Sequence, residues 1–111
     1  MEIKDRKVGE TVVVSVAGRI DAVTAPEFER RLSGWIAGGE KLFLLNLAGL
    51  DYISSAGLRS LLSTAKKLRG NQGRIVLAGM QEAVEEVIRV AGFDSLFPVF
   101  ASEEEALAKA Q

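Results

Sequence analysis

The sequence predicts an α/β fold in which a mixed, mostly parallel sheet of four to five strands is covered by about four helices. Strand-like and helix-like segments alternate in the order β-β-α-β-α-β-α-β-α, which is typical of parallel strands joined by helical crossovers after an initial hairpin. Residues 42–45 are all apolar, without polar alternation, which indicates a central strand covered on both faces. The length of 111 residues fits a single domain over residues 1–111.

The first two strands are predicted to form a hairpin. Residues 3–8 are mostly charged, as is typical of an edge strand, and Gly9 supplies the turn. Residues 11–16 are rich in valine, and β-branched side chains favour strands. We expect Gly18 to end the second strand.

The first helix has a clear predicted start. Thr24 and Glu27 have the spacing of a capping box, in which a threonine caps the helix and a glutamate bonds back to it. Val23 and Phe28 occupy the two positions of a hydrophobic staple. Glycines at residues 38–39 are expected to end this helix.

The remaining elements follow from apolar periodicity and from turn residues. Residues 48–53 are expected to form a loop after the central strand. The later elements are predicted as a helix over 58–68, a strand over 74–78, a helix over 84–91, an edge strand over 97–100 and a terminal helix that opens with a capping box at Ser102 and Glu105.

Composition excludes several kinds of function. A net charge of -1 and the lack of a basic cluster argue against nucleic acid as a partner. The chain contains no cysteine and no histidine, so we expect no disulfide, no metal site and no cofactor. The charged N-terminus and the short apolar runs predict a cytoplasmic protein without direct membrane insertion.

Two stretches lie where sites gather in α/β proteins, beyond the carboxyl ends of strands. They are residues 18–21 and residues 51–58. The second includes Ser54 and Ser55 at a helix start, where a phosphate on a serine would meet free backbone N–H groups. In a purely structural alternative, one of the two serines only caps the helix and Gly57 only permits tight packing.

The same two stretches resemble a known family. Residues 53–58, Ile-Ser-Ser-Ala-Gly-Leu, preceded by Leu50-Asp51, are similar to the phosphorylation-site signature of the anti-sigma factor antagonists, which belong to the STAS domains of sulphate transporters and anti-sigma antagonists. Residues 18–21, Gly-Arg-Ile-Asp, followed by Thr-Ala-Pro at 24–26, resemble the family's other recurrent stretch. The order of predicted elements agrees over essentially the whole chain, which implies a STAS-like fold.

The resemblance implies partner switching in transcription regulation. Antagonists of this family bind an anti-sigma factor serine kinase and thereby free a sigma factor; the kinase phosphorylates one serine, and a phosphoserine phosphatase reverses this. The matching residue here is Ser55, in a neighbourhood formed by Asp21, Ser54, Ala56 and Gly57. Many members have aspartate at the position of Ser54; the serine found here supplies no negative charge and is the alternative acceptor. The family also offers another function, that of a STAS subunit of a membrane transporter complex or a signalling scaffold without the phosphate switch.

The predicted partner interface surrounds this serine. Arg59, Ser63 and Lys66 lie on the polar side of the second helix, and Tyr52 and Ile53 are candidates for its apolar centre. Asp21 is interpreted in two ways. It is either a turn residue that leads the chain into the first helix or, as the resemblance implies, a side chain near the serine that bonds its hydroxyl or orients the loop.

A hydrolase with Ser55 as nucleophile is the rival hypothesis. A serine nucleophile needs a base, usually histidine, and the chain has none. Neither a Ser-x-x-Lys arrangement around the two serines nor a Gly-x-Ser-x-Gly elbow occurs. We therefore expect a binding protein and not an enzyme.

Overall fold

The computed structural model describes residues 1–110. In chain order the elements are β1 (Glu2–Val8), β2 (Thr11–Ile20), α1 (Ala25–Ala37), β3 (Leu42–Ile53), α2 (Ser55–Gly70), β4 (Arg74–Ala78), α3 (Glu82–Val90), a 3-10 helix (Phe93–Ser95), β5 (Val99–Phe100) and α4 (Glu103–Ala110). Within the described residues the five strands form one sheet in the spatial order β1-β2-β3-β4-β5.

The sheet is mixed and mostly parallel, as the sequence predicts. β1 pairs with β2 antiparallel, and the pairs β2–β3, β3–β4 and β4–β5 are parallel. β3 lies at the centre, and its apolar run is buried on both faces: Phe43 and Leu45 belong to one core cluster, whereas Leu44 belongs to another. The prediction of a covered central strand is thus confirmed.

Three helices cover one face of the sheet and the fourth covers the other. The larger core cluster joins Phe28 of α1, Leu61 of α2 and Ile88 of α3 to the sheet. The smaller cluster joins Ala106 of α4 to side chains of β2, β3 and β4. Because α1 and α2 follow β2 and β3, which are parallel neighbours, both helices begin at the carboxyl ends of these strands.

β2 and β3 continue further than the sequence predicts. Gly18 does not end β2 but lies within it at φ +95°, a conformation that glycine adopts without strain, and the β2–β3 register shifts nearby. Residues 48–53, predicted as a loop, form the second half of β3, which pairs Ile53 with Ile20. The loop prediction was wrong because the partner strand β2 satisfies this backbone, and a local pattern does not show that partner.

The turn before α1 is stabilised by Asp21, and the Thr24 side chain does not cap the helix as the sequence predicts. Thr24 has helical dihedrals and makes no side-chain cap bond to α1. Instead, Asp21 Oδ1 accepts from the Thr24 N–H at 3.1 Å, and Thr24 Oγ1 accepts from the Asp21 N–H at 2.9 Å, which is a capping box that starts three residues earlier. Val23 is 86% exposed while Phe28 is buried, so the predicted staple between them is wrong.

The end of α1, the strand β5 and the start of α4 agree more closely with the sequence predictions. α1 ends at residue 37, and Gly39 follows at φ +98°. β5 is an edge strand, shorter than predicted. Ser102 Oγ accepts from the Glu105 N–H at 3.1 Å, which is one half of the predicted box. Among the helices of residues 1–110, none has the combined length and apolar character that crossing a membrane requires.

Candidate functional site

The two stretches singled out in the sequence meet at one edge of the sheet. β2 and β3 run parallel and end side by side, with Ile20 opposite Ile53. The backbone N–H of Ser54 then donates to the Ile20 carbonyl at 2.8 Å. This bond fixes the start of α2 beside the Asp21 turn, as the positions of the two stretches predict.

The two serines at the start of α2 have different environments. Ser54 has an extended backbone, and its Oγ accepts from the Gly57 N–H at 3.2 Å, so Ser54 is the N-cap of the helix. Its side chain is half-buried, whereas Ser55 is exposed and is the first residue of the helix. Ser54 is therefore the serine that caps the helix, and the Ser55 hydroxyl stays accessible.

Gly57 allows α2 to approach the ends of the strands closely. A Cβ added at this position would lie 2.8 Å from Ile20 Cγ2, 2.8 Å from Ile53 Cγ1 and 3.2 Å from the Ile20 carbonyl oxygen. Real Cβ atoms essentially never show distances as short as the two of 2.8 Å. Gly57 is itself buried, so the packing role proposed for it in the sequence is confirmed.

Asp21 holds its own turn together. Its Oδ1 accepts from the N–H groups of Val23 and Thr24 and from the Thr24 hydroxyl. The Thr24 N–H, foremost among these donors, lowers the pKa of Asp21, and the nearby Arg19 guanidinium lowers it further. Among the described residues, no hydrogen bond joins the Asp21 carboxylate to either serine hydroxyl, so the geometry supports the turn interpretation.

Beside the serines, Arg19 and Tyr52 form a pair that the sequence analysis missed. The two residues are opposite each other in the β2–β3 register, and the Arg19 guanidinium lies 4.3 Å from the centre of the Tyr52 ring. Tyr52 is 41% exposed, as an interface residue must be, but Ile53 is only 4% exposed and belongs to the core. The prediction that Ile53 forms the apolar centre of an interface is therefore wrong, because consecutive strand residues point to opposite faces.

The polar side of α2 contains both free and engaged side chains. Arg59 and Lys66 are exposed, as predicted. Ser63 is half-buried, and its Oγ donates to Glu29 Oε2 of α1 at 3.3 Å. Lys67 Nζ lies 3.7 Å from the same carboxylate and donates to Ser33 Oγ at 3.1 Å. These bonds join the polar side of α2 to α1.

Gln81, just before α3, is a further residue that the sequence analysis missed. Its Nε2 donates to the Ala48 carbonyl at 3.0 Å and to Asp51 Oδ1 at 3.2 Å. These bonds connect the start of α3 to the extended end of β3. No sequence signal marks this contact, because it joins residues that are about thirty positions apart.

The chemistry available at this site is that of an exposed hydroxyl at a helix N-terminus. Ser54 Oγ accepts from the Gly57 N–H, and the N–H groups of Ser55 and Ala56, which come before it in the first turn of α2, favour negative charge beside them. The described residues contain no group of three or more acidic, cysteine or histidine side chains that could hold a metal ion. The arrangement is suited to accepting a phosphate and to contacting a protein surface.

Comparison with known proteins places this geometry in a family. The model of the STAS domain family matches residues 2–106, and the chain belongs to that family. It is 39% identical over 97% of its length, and 93% of the relative's, to BtrV of Bordetella bronchiseptica, a candidate anti-sigma factor antagonist. It is 28% identical to the anti-sigma-B factor antagonist of Listeria monocytogenes, with coverage of 89% of this chain and 86% of the relative.

The fold of the family is also the fold of this chain. The crystal structure of an anti-sigma factor antagonist from Mycobacterium paratuberculosis superposes with a TM-score of 0.89 at 28% identity. The alignment covers 97% of this chain and 92% of that one. The STAS-like α/β fold predicted from the sequence is confirmed.

Proposed function

We propose that this chain is an anti-sigma factor antagonist that binds an anti-sigma factor serine kinase and thereby releases a sigma factor. A phosphate on Ser55 switches this binding off, and a phosphoserine phosphatase restores it. The observation that carries the proposal is that Ser55 is exposed at the first position of α2 while its neighbour Ser54 is engaged as the cap. The antagonist names of the relatives support the same assignment.

The choice of Ser55 over other hydroxyls rests on accessibility. The Ser54 hydroxyl is half-buried and bonded to the Gly57 N–H. Ser60 and Thr64, further along α2, are 8% and 0% exposed. A kinase that inserts the acceptor into its active site reaches Ser55 without unwinding the helix, whereas the other three require local opening.

The proposed protein acts by binding and not by catalysis. An exposed serine at a helix start has no histidine to activate it, because the chain contains none. Tyr52, Arg59 and Lys66 are the exposed residues around Ser55 that we assign to the partner surface, with Ser63 at its α1 side. Since sigma factors act with RNA polymerase on DNA, the proposed place of action is the cytoplasm.

Phosphate would act in the complex and not on the fold of this protein. A phosphoserine carries about -1.5 to -2 charges at neutral pH, and the N-terminus of α2 interacts favourably with that charge. The partner surface, in contrast, would have to bury a dianion against Ser55. Loss of the complex without loss of the helix is the behaviour that this geometry favours.

Phosphate mapping tests the acceptor. The chain is incubated with its cognate serine kinase and ATP, and the phosphopeptide is sequenced by mass spectrometry, with Ser54→Ala and Ser55→Ala as matched variants. We expect modification of the wild type and of Ser54→Ala, both at Ser55, and none of Ser55→Ala. Phosphate found only on Ser54, Ser60 or Thr64 contradicts the assignment.

Partner capture tests the function itself. The chain is used as bait in native lysate, and bound proteins are identified in parallel for the wild type and Ser55→Asp. Recovery of a serine kinase by the wild type, with reduced recovery by Ser55→Asp, supports the switch. Recovery of permease components in its place assigns the chain to a transporter complex and contradicts the proposal.

A further inference from the structure

A groove of about 580 Å³ lies between α1 and α2 and reaches Ala56, the residue after Ser55. Its lining includes Ala25 and Ser60, which are buried and form its floor, and Ala56, which follows Ser55 in the chain. These side chains are small, so they leave room for an extended backbone to lie between the helices. Arg30 of α1 and Arg59 of α2 line the groove from its two exposed sides.

The electrostatic balance of this groove is positive. Its acidic residue, Glu29, is already engaged by the Ser63 hydroxyl and by the Lys67 ammonium. Within residues 1–110, the ion pairs involve other arginines, namely Arg6, Arg19 and Arg31, and neither Arg30 nor Arg59 has a carboxylate within 4 Å. Two guanidinium groups without acidic partners therefore line one groove. A guanidinium group matches the geometry of a carboxylate, which it binds through two parallel hydrogen bonds.

We infer that the α1–α2 groove is the docking site for an acidic segment of the protein partner, with its carboxylates bound by Arg30 and Arg59. The inference deepens the proposed function, on which it rests for the identity of the partner. It adds α1 to an interface that the sequence predicted on α2 and at Tyr52 and Ile53 before it. Charge complementarity selects the occupant, because a basic or purely apolar segment would leave both guanidinium groups unpaired.

The groove also gives the phosphate switch a physical reason. Ala56 lines the groove, so a phosphate on Ser55 would stand at its mouth. That dianion would repel an acidic segment and would compete with its carboxylates for Arg59. Like charges brought together at an interface suppress binding strongly.

A peptide titration tests the groove without the partner. The probe is an acetylated and amidated peptide of glutamate and leucine, and its matched control has lysine in place of glutamate. We expect the acidic peptide to shift the NMR amide signals of groove residues on both helices, including Ala25, Arg30, Ala56 and Arg59. Equal shifts with the lysine peptide, or shifts confined to other surfaces, overturn the inference.

Charge reversal tests the groove in the complex. Arg30→Glu should weaken binding of the serine kinase about tenfold and make the remaining affinity less dependent on salt. Arg30→Gln removes the charge without reversing it, so it tests the groove even if the reversal variant misfolds. It should weaken binding by a smaller factor. Arg69→Glu changes a charge on α2 outside the groove and should bind the kinase as the wild type does.

The outcomes separate this inference from the proposed function. If Ser55→Asp abolishes kinase binding while both Arg30 variants bind like the wild type, the switch stands and the groove is not the docking site. If no kinase binds any form of the chain, the proposed function fails. The peptide titration then still decides whether the groove selects acidic segments.

Discussion

The backbone N–H of Gly57 donates to the Oγ of Ser54 at 3.2 Å. This single bond assigns different roles to two adjacent serines, because the residue that caps a helix lies outside it and the next residue begins it. Ser54 therefore stabilises α2, and Ser55 presents its hydroxyl to solvent. Several expected outcomes depend on this division.

Alanine at the two serines should separate stability from switching. Ser54→Ala removes the cap and should lower the free energy of unfolding by about 1 kcal/mol. Ser55→Ala should change it by less than ~0.5 kcal/mol, since the side chain is exposed. Urea denaturation of both variants measures the difference, and equal losses would mean that Ser54 is not the cap.

Gly57→Ala should destabilise the protein by about 1–2 kcal/mol, because its methyl group would overlap atoms of Ile20 and Ile53. The matched control is Gly34→Ala on α1, where an added Cβ meets nothing within 4 Å. That variant should be stabilised by roughly 0.5–1 kcal/mol through helix propensity. Thermal unfolding checks both signs, and a gain in stability for Gly57→Ala would contradict the tight packing.

The exposed charges of α2 should control association with the partner. Reversing Arg59 and Lys66 together should lower the association rate and the affinity for the kinase, with a change in stability near or below ~0.5 kcal/mol per site. Arg89→Glu, on the exposed side of α3, is the control. Surface plasmon resonance at two salt concentrations gives the rates. Unchanged rates for the double variant would mean that the partner binds elsewhere.

Phosphorylation of Ser55 should leave the fold intact and weaken the complex. The phosphate interacts with the α2 dipole by about 0.3–1 kcal/mol in the stabilising direction. A loss of ~3–4 kcal/mol in the complex lowers affinity by roughly 10²–10³. Ser55→Asp should reproduce part of this loss, and Ser55→Ala should bind constitutively. Circular dichroism measures whether each form keeps its helices, and calorimetric titration measures its affinity for the kinase. Melting of α2 on phosphorylation would contradict this account.

Glu103 should make the docking of α4 sensitive to acid. The Asn46 side-chain amide, which donates to Oε1 at 3.0 Å, and the Arg6 guanidinium lower the pKa of Glu103 below its ordinary value of 4.5. The stabilisation is therefore complete above pH 4.5 and is lost as the pH falls through the lower folded value.

Replacement of Glu103 tests this dependence. Glu103→Gln should lose stability less steeply than the wild type on acidification below pH 4.5. Glu104→Gln, which removes an exposed charge from the same turn, is the control. Denaturation curves at several pH values give the slopes. Parallel slopes for the wild type and Glu103→Gln would contradict a role of this carboxylate.

Local sequence patterns were sufficient for most of the architecture. The uninterrupted run at 42–45 predicted the buried centre of β3, and the glycines at 38–39 predicted the end of α1. These features depend on residues that are close in sequence. The predictions failed where a strand distant in sequence decided the structure. Residues 48–53 form a strand because β2 pairs with them. As part of that strand, Ile53 points into the core.

The sequence by itself determined that a serine would stand at the start of α2 and that neither histidine nor cysteine could assist it. Only the tertiary structure decided which serine is free, because the Ser54 N–H donates to the Ile20 carbonyl of β2 and so fixes Ser54 as the residue that precedes α2. It also decided that Arg30 and Arg59 share one groove. The physical reason is that these contacts join separate elements, and only the folded chain brings the elements together.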